Sequence, residues 1–233
     1  MAFLRIFSKH LGAVRAAWLL AMSLLFLSTT VYSNDTVGDG WRLQRQEPAR
    51  QIRVYLHDRP NGQYRDVYAV TTMKGSTQRI EAVLSDVAVM PQWASRVDEA
   101  RLIKRQGNAA WIYIQYKLPY PFKPREVVVK SERLESNGIV TIRSQAVPGY
   151  VRETAGKIRM HSVQSSWRLT PQSSNNVKIE LWGSAEPGGL IPAVVYNFNL
   201  ADDALQTLRQ LRRMSLREKY QDKALVKKDI PQM

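Results

Sequence analysis

At Pro192 the chain changes its hydrophobic period, and that switch constrains the fold more than any other feature. Before it, strand-length runs rich in β-branched and aromatic residues are each closed by a turn signal. After it, apolar residues fall at Val194, Val195, Phe198, Ala201, Leu205, Leu208 and Leu211, three and four apart, which is the spacing of one long helix. The junction reads AEPGGLIPAVVYNF at residues 185–198. Gly188-Gly189 permits a sharp turn, and Pro192 suits a first helical turn, where its missing N–H is not needed. The segment therefore predicts a reversal that lays an apolar helix back onto a sheet. Arg209, Arg212, Arg213, Arg217 and Lys219 gather toward the end of that helix, where they complement its dipole.

The runs before the switch follow hairpin order. IRVYLHD (52–58) and QYRDVYAVTTM (63–73) flank RPNG, a strong turn signal. Ile80, Val83, Leu84, Val87 and Ala88 then take helical spacing. They predict a helix over 76–89, with Ser76 as N-cap, Arg79 where a capping box has Glu, and Pro91 as the stop. Trp93 follows at a helix end that must pack on something. ARLIKRQ and AWIYIQYK flank Gly107-Asn108, a second hairpin signal. In AWIYIQYK, Ile112, Ile114 and Tyr116 form the expected inward face, because the alternate set ends in Gln115 and Lys117. The prolines exclude LPYPFKP (118–124) from a central strand. REVVVKSE, IVTIRSQ, KIRMHSVQSSWRLTP and NVKIELWGS complete eight or nine strands, with little room for βαβ crossovers. The reading is α+β, with one domain over 34–220 and a charged, frayed tail over 221–233.

The start of the chain is a different text. Arg5, Lys9 and Arg15 precede AAWLLAMSLLFL, and Val31 and Ser33 stand at −3 and −1 of a cut before Asn34. A basic start, a short apolar stretch and small residues make residues 1–33 a cleaved secretory signal, which implies a periplasmic protein. The alternative is a membrane anchor over residues 16–31, although a spanning helix needs about 20 apolar residues. The chain carries +14 from 34 basic and 20 acidic residues; losing three basic residues with the leader leaves +11. Export makes nucleic acid an unsuitable partner, so the surplus points to transient contact with an anionic membrane surface.

Several chemistries lack their residues. There is no cysteine, which excludes disulfides and thiol catalysis. His57 and His161 have no carboxylate or second histidine at metal-ligand spacing, so no metal and no cofactor is expected. No G-x-S-x-G, P-loop or G-x-G-x-x-G occurs. The Asp202-Asp203 pair reads as a polar helix face rather than an acid/base dyad. Arg143 and Arg152 could hold a lipid head group or a substrate carboxylate, or simply be solvated.

A curved antiparallel sheet with a helix across it encloses either a core or a ligand cavity, and periodicity does not distinguish the two. Here the wording of the segments resembles the START lipid-transfer family from about Trp41 to Arg213. The resemblance rests on GWRLQRQEPARQIRVYLHD, LSDVAVMPQW, PYPFKPREVVV, GYVRET and EPGGLIPAVVYN in collinear order. Pro121-Phe122 with Arg125-Glu126, and Glu186 with Gly188-Gly189 and Pro192, stand where the family has PFxxRD-like and DxGxxP-like elements, with Glu for Asp in both; Asn197 keeps its place. The resemblance implies a helix-grip (START/Bet v1-like) fold, an internal apolar tunnel, and binding of one lipid or other apolar small molecule by a monomer without chemistry. It implies cavity candidates Trp93, Ile112, Ile114, Tyr116, Val127, Val129, Arg143, Arg152, Ile191, Val195, Phe198 and Leu205. It also implies a lid loop around Val147, Pro148, Gly149 and Tyr150. The acidic residue and arginine that face each other in sterol-binding relatives fall on Ile112 and Ser131, so both charges are lost together. A polyketide aromatase/cyclase-like enzyme on the same fold, and an interaction scaffold with a vestigial cavity, are the alternatives.

Overall fold

A computed structural model describes residues 38–60, 62–173 and 175–221. The leader at 1–33 and all of the expected tail beyond Gln221 lie outside the described residues. The strands are β1 (Trp41–Glu47), β2 (Ile52–His57), β3 (Asp66–Lys74), β4 (Val97–Gln106), β5 (Ala109–Tyr116), β6 (Arg125–Ser136), β7 (Ile139–Ala146), β8 (Ile158–Arg159), β9 (Ser162–Gln172) and β10 (Asn176–Glu186). Their order is β1-β2-β3-β10-β9-β7-β6-β5-β4, with antiparallel neighbours, while β8 runs parallel to the start of β6. Among the described residues two α-helices accompany them: α1 (Thr77–Ser85) between β3 and β4, and α2 (Ala193–Ser215) after β10.

Local sequence explains most of this. Ile52, Val54 and Leu56 of β2 are buried while their neighbours are only partly so, which is the alternation of a half-covered strand. Asn137 (φ 50°) and Gly138 (φ 74°) are both left-handed, as a type I′ turn between β6 and β7 requires. Ser76 caps α1, its hydroxyl accepting from the Arg79 N–H at 3.1 Å. Three expectations are corrected. The helix predicted over 76–89 breaks at Asp86, where ψ is 80°, and continues as a 3₁₀ segment, Val87–Gln92, that contains Pro91 rather than ending at it. The described residues form ten strands, because β1 and the two-residue β8 were not foreseen. The run starting at Lys157 divides at Met160–His161, so that β8 joins β6 while β9 joins β7 and β10.

Helix α2 lies over only part of the sheet. Its Leu205, Leu208, Leu211 and Met214 pack with Ile52 and Val54 of β2, Ala69 and Met73 of β3, and Ile80 and Val83 of α1. A second apolar cluster forms on β4–β6 around Val97, Ile112, Ile114, Val127 and Val129. The arginines near the end of α2 fasten it in place. Arg209 Nε donates to Glu47 at 2.5 Å, and Arg212 Nη2 donates to the Arg50 and Thr72 carbonyls at 2.7 and 2.9 Å. Arg217 reaches Gln92, and Lys219 reaches Asp86, each at 2.7 Å. Four of the five basic residues gathered at this end of the chain's last helix thus bond to other elements of the domain.

Candidate ligand cavity and its mouth

The two apolar clusters leave space between them. A cavity of about 270 Å³ is floored by Ile112, Ile114, Tyr116 and Val129 and walled by Trp93, Trp167 and the Leu200–Thr207 stretch of α2. A second space of about 160 Å³ adjoins it toward α1 and shares Met90, Trp93, Ile112, Ser131, Ser144 and Trp167. The floor residues project inward because β5 and β6 expose one face to water and the other to the interior. The walls are mostly apolar, so the cavity suits an apolar occupant.

Few polar groups reach the interior, and most are already paired. The Ser131 and Ser144 hydroxyls lie 2.7 Å apart on neighbouring strands. The Thr207 hydroxyl accepts from the Ser95 N–H at 3.0 Å. The Asp203 carboxylate accepts from the Ser95 hydroxyl at 2.8 Å and from the Arg96 guanidinium. Burial pushes the Tyr116 phenol up to about 12, so it stays neutral across the physiological range. Trp93 is 4% exposed and its Nε1 has no hydrogen-bond partner among the described residues. No histidine lines either space, and no described group of three or more His, Asp or Glu residues could hold a metal. The arrangement can hold and orient an uncharged molecule; where a hydroxyl meets a carboxylate, Ser95 on Asp203, that carboxylate is also engaged by Arg96.

The expected cavity residues separate into groups. Trp93, Ile112, Ile114, Tyr116 and Val129 line the main cavity. Val127 is fully buried in the cluster beneath it. Ile191 and Val195 line a recess of about 70 Å³ with Phe122; it shares Leu200 and Asp203 with the main cavity. Four placements correct the expectation. Leu205 faces the packed core on β2 and β3, and Phe198 is 74% exposed. Arg143 and Arg152 point to solvent, Arg143 because it sits on the outer face between inward Ile142 and Ser144. The α2 residues that do face the cavity are Leu200, Asp203, Ala204 and Thr207. An apolar stripe does not pick them out, because only Leu200 is large and apolar. The pairing of small Ala204 with Thr207, four and seven residues after the inward Leu200, was the available signal.

The motifs behind the resemblance meet at one end of the molecule. Arg125, buried, donates to the Pro187 and Gly188 carbonyls at 2.8 and 2.9 Å and to the Lys123 carbonyl. Glu126, also buried, accepts from Arg159 Nη2 at 2.7 Å and from the Thr154 N–H at 2.9 Å. Arg125 thus ties down the turn before α2, and Glu126 ties down the loop between β7 and β8. Asn197 completes the set: its amide accepts from the Arg65 N–H and donates to the Gln63 carbonyl, both at 2.9 Å. The expected lid residues Val147, Pro148, Gly149 and Tyr150 begin that β7–β8 loop. The Tyr150 ring stacks on Trp111 at 5.8 Å on the outer face of β5, opposite Ile112. The loop is therefore held on the outside of the sheet at this point rather than across the cavity.

The glycine pair now has a structural cause. Gly188 and Gly189 both have left-handed φ, 65° and 62°. A Cβ on Gly189 would stand 2.9 Å from Ile158 Cδ1 and 3.4 Å from Arg125 Nη2. Gly189→Ala is expected to lower stability by about 1–3 kcal/mol in denaturant unfolding. Gly149→Ala, at φ 79° with nothing within 4 Å of the new Cβ, carries the backbone cost alone and is expected to lose less. Equal losses in both variants would mean that the Arg125–turn contact is not sensitive to crowding.

Comparison with known proteins agrees with this geometry. A crystal structure of a STAR-related lipid transfer protein fragment from Xanthomonas axonopodis superposes with a TM-score of 0.72 at 26% identity, covering 77% of this chain and 100% of that one. Human StAR-related lipid transfer protein 5 superposes at 0.67 with 13% identity over 87% of this chain and 95% of its own, a likeness of fold. An uncharacterized protein of Pseudomonas aeruginosa is 29% identical over 195 residues, 83% of this chain and 96% of that one. The curved antiparallel sheet gripping a C-terminal helix is the helix-grip arrangement of these structures. Residues 30–218 match the START domain, and the chain belongs to that family.

Proposed function

We propose that the domain is a non-catalytic carrier that binds one lipid or other apolar small molecule between α2 and β4–β7, acting as a monomer in an exported compartment. The observation that carries this reading is the largely apolar space of about 270 Å³ between two separately packed clusters. A vestigial cavity would have been closed by side chains. An aromatase/cyclase would need acid and base groups converging on the ligand, whereas Asp203, the carboxylate lining the main cavity, is engaged by Arg96 and Ser95. Export rests on the leader at 1–33, and the intact mass of the exported protein tests it: loss of those residues is expected, and retention of Met1 means an anchored form. The direct test of the carrier reading is native mass spectrometry of protein made in its own compartment. One equivalent of bound apolar material is expected; an empty protein that also takes up no fluorescent lipid overturns the reading.

Membrane contact belongs to the same proposal, but at another place than the helix arginines. Leu190 (96% exposed) lies in the turn before α2, Val194 and Phe198 are exposed in its first two turns, and Tyr120 is exposed on the loop before β6. Exposed apolar side chains grouped beside a cavity mouth suit shallow insertion into a lipid surface. Phe198→Glu is expected to reduce sedimentation with anionic phosphatidylglycerol vesicles several-fold at low salt. Attachment unaffected by Phe198→Glu, by salt and by lipid charge would remove this part of the proposal.

A further inference from the structure

We infer that the space beside α1 takes the head group of the ligand, and that Arg105 receives there the carboxylate or phosphate of a single-chain amphiphile. This rests on the carrier reading and specifies it. Residues directly opposite one another in an antiparallel pair share one face of the sheet. Arg105 of β4 stands opposite Ala110 of β5, Ala110 opposite Ser131 of β6, Ser131 opposite Ser144 of β7, and Ser144 opposite Ser165 of β9. Ser131, Ser144 and Ser165 line the main cavity, so this row crosses the concave face. Arg105 lies on that face at the end of a row of small and hydroxyl-bearing residues, and it lines the second space with Ala110, Ser131 and Ser144.

Charge singles Arg105 out. Asp203 and Arg96, at the α2 side of the main cavity, are bonded to each other. Glu81, which lines the second space, is bonded to Arg133, and Arg133 also reaches Glu135. Arg105 is exposed and makes no hydrogen bond or ion pair with a described residue. Among the described residues lining these spaces it is the charge left without a partner. An anion drawn into the main cavity would lose its water without gaining a counter-charge, which is costly. At Arg105 it keeps part of its water and meets a planar fork that suits carboxylate and phosphate oxygens. A head held at the β4–β5 hairpin leaves the chain to run between Trp93 and Trp167, which wall both spaces, into the main cavity toward α2. A space of about 160 Å³ adjoining one of about 270 Å³ lies at the small end for ligand pockets and suits one chain rather than two.

The test is displacement of the neutral fluorophore N-phenyl-1-naphthylamine by dodecan-1-ol, dodecanoate, dodecyl phosphate and dodecyltrimethylammonium, from wild type, Arg105→Gln and Lys104→Gln. Lys104 is the sequence neighbour of Arg105, opposite Trp111 on the outer face, and controls for surface charge. In Arg105→Gln the two anions are expected to bind about three- to tenfold more weakly, and dodecan-1-ol to change by less than about twofold. The loss is expected to shrink at high salt, and Lys104→Gln to leave all four probes as they were. The anion that loses more names the head group: dodecanoate a fatty acid, dodecyl phosphate a single-chain phospholipid. Anions that bind Arg105→Gln as tightly as wild type overturn the inference. So does an equal loss in Lys104→Gln, or dodecyltrimethylammonium binding wild type as tightly as dodecanoate. In all three cases the probes still displace the fluorophore, and the carrier reading stands. If neither the fluorophore nor any probe binds, both fall. Should Arg105→Gln fail to fold, Arg105→Met, which keeps an unbranched stem without the charge, carries the same readout.

Discussion

Glu126→Gln is expected to cost about 3–5 kcal/mol of stability and to release the β7–β8 loop. Glu126 is fully buried, and every oxygen lone pair that matters is in use. One oxygen accepts from Arg159 Nε and Nη2 at 3.2 and 2.7 Å and from the Thr154 N–H at 2.9 Å; the other accepts from the Tyr113 hydroxyl at 2.9 Å. Lys157 in turn donates to Tyr113 at 2.9 Å, and Arg159 also reaches the Val151 and Arg152 carbonyls at 3.2 Å. An amide keeps the shape but removes the charge and turns an NH₂ donor toward other donors. It leaves a buried guanidinium without its counter-charge, the expensive half of breaking a buried pair. Denaturant unfolding measures the loss, and limited proteolysis between residues 147 and 157 reports the released loop. A loss under about 1 kcal/mol with unchanged proteolysis would show that Tyr150 on Trp111, not Glu126, holds the loop.

The same group sets a pH dependence. Burial pushes the Glu126 carboxyl up, but hydrogen bonds from Thr154, Arg159 and Tyr113 outweigh it and hold the carboxyl down to about 2, below the ordinary 4.5. The stabilisation is therefore complete above about pH 4.5 and drains away as pH falls toward 2. Loop release on acidification is expected in that window, with a flat response near neutrality. Faster exchange of the Thr154 N–H below pH 4.5 is the signature to look for, and its absence in Glu126→Gln would assign it.

How far the sequence could be read depended on what each signal reports. Alternation located Ile112, Ile114 and Tyr116 correctly on the inner face, since a sheet with one wet face imposes a period of two whether the dry face meets a core or a cavity. It missed β1, an edge strand whose WRLQRQE sequence has only Trp41 and Leu43 apolar, and β8, which at two residues carries no period at all. The helical stripe misled for a physical reason. Large apolar residues on α2 mark where the helix is packed, so Leu205, Leu208 and Leu211 lead to β2 and β3; the cavity face is marked by small and polar residues instead. Phe198 sat in the same stripe but lies beyond the sheet's cover, a boundary that spacing does not record. The Glu126 latch spans 33 residues to Arg159 and has no local pattern; only the resemblance singled out Arg125-Glu126.

This distinction between packed and cavity faces makes the strongest expected effect on binding. Ala204 and Leu205 are sequence neighbours on α2 and both touch the cluster on β2 and β3, yet only Ala204 also borders the main cavity. Ala204→Phe places a ring in space that a ligand needs and displaces few packed atoms. Stability of the ligand-free protein is expected to change by less than about 1 kcal/mol, while uptake of a fluorescent single-chain lipid falls at least about tenfold. Leu205→Trp adds bulk where neighbours already touch, so overpacking is expected to cost about 1–3 kcal/mol, with uptake by the folded fraction retained. Thermal midpoint and uptake, measured on both variants, separate the cases. If Ala204→Phe instead drops the midpoint sharply and the protein that remains folded still takes up lipid, then the space beside α2 is ordinary core closed by small motions, and a bound ligand must lie elsewhere, in the recess under Ile191 and Val195 or outside the sheet altogether.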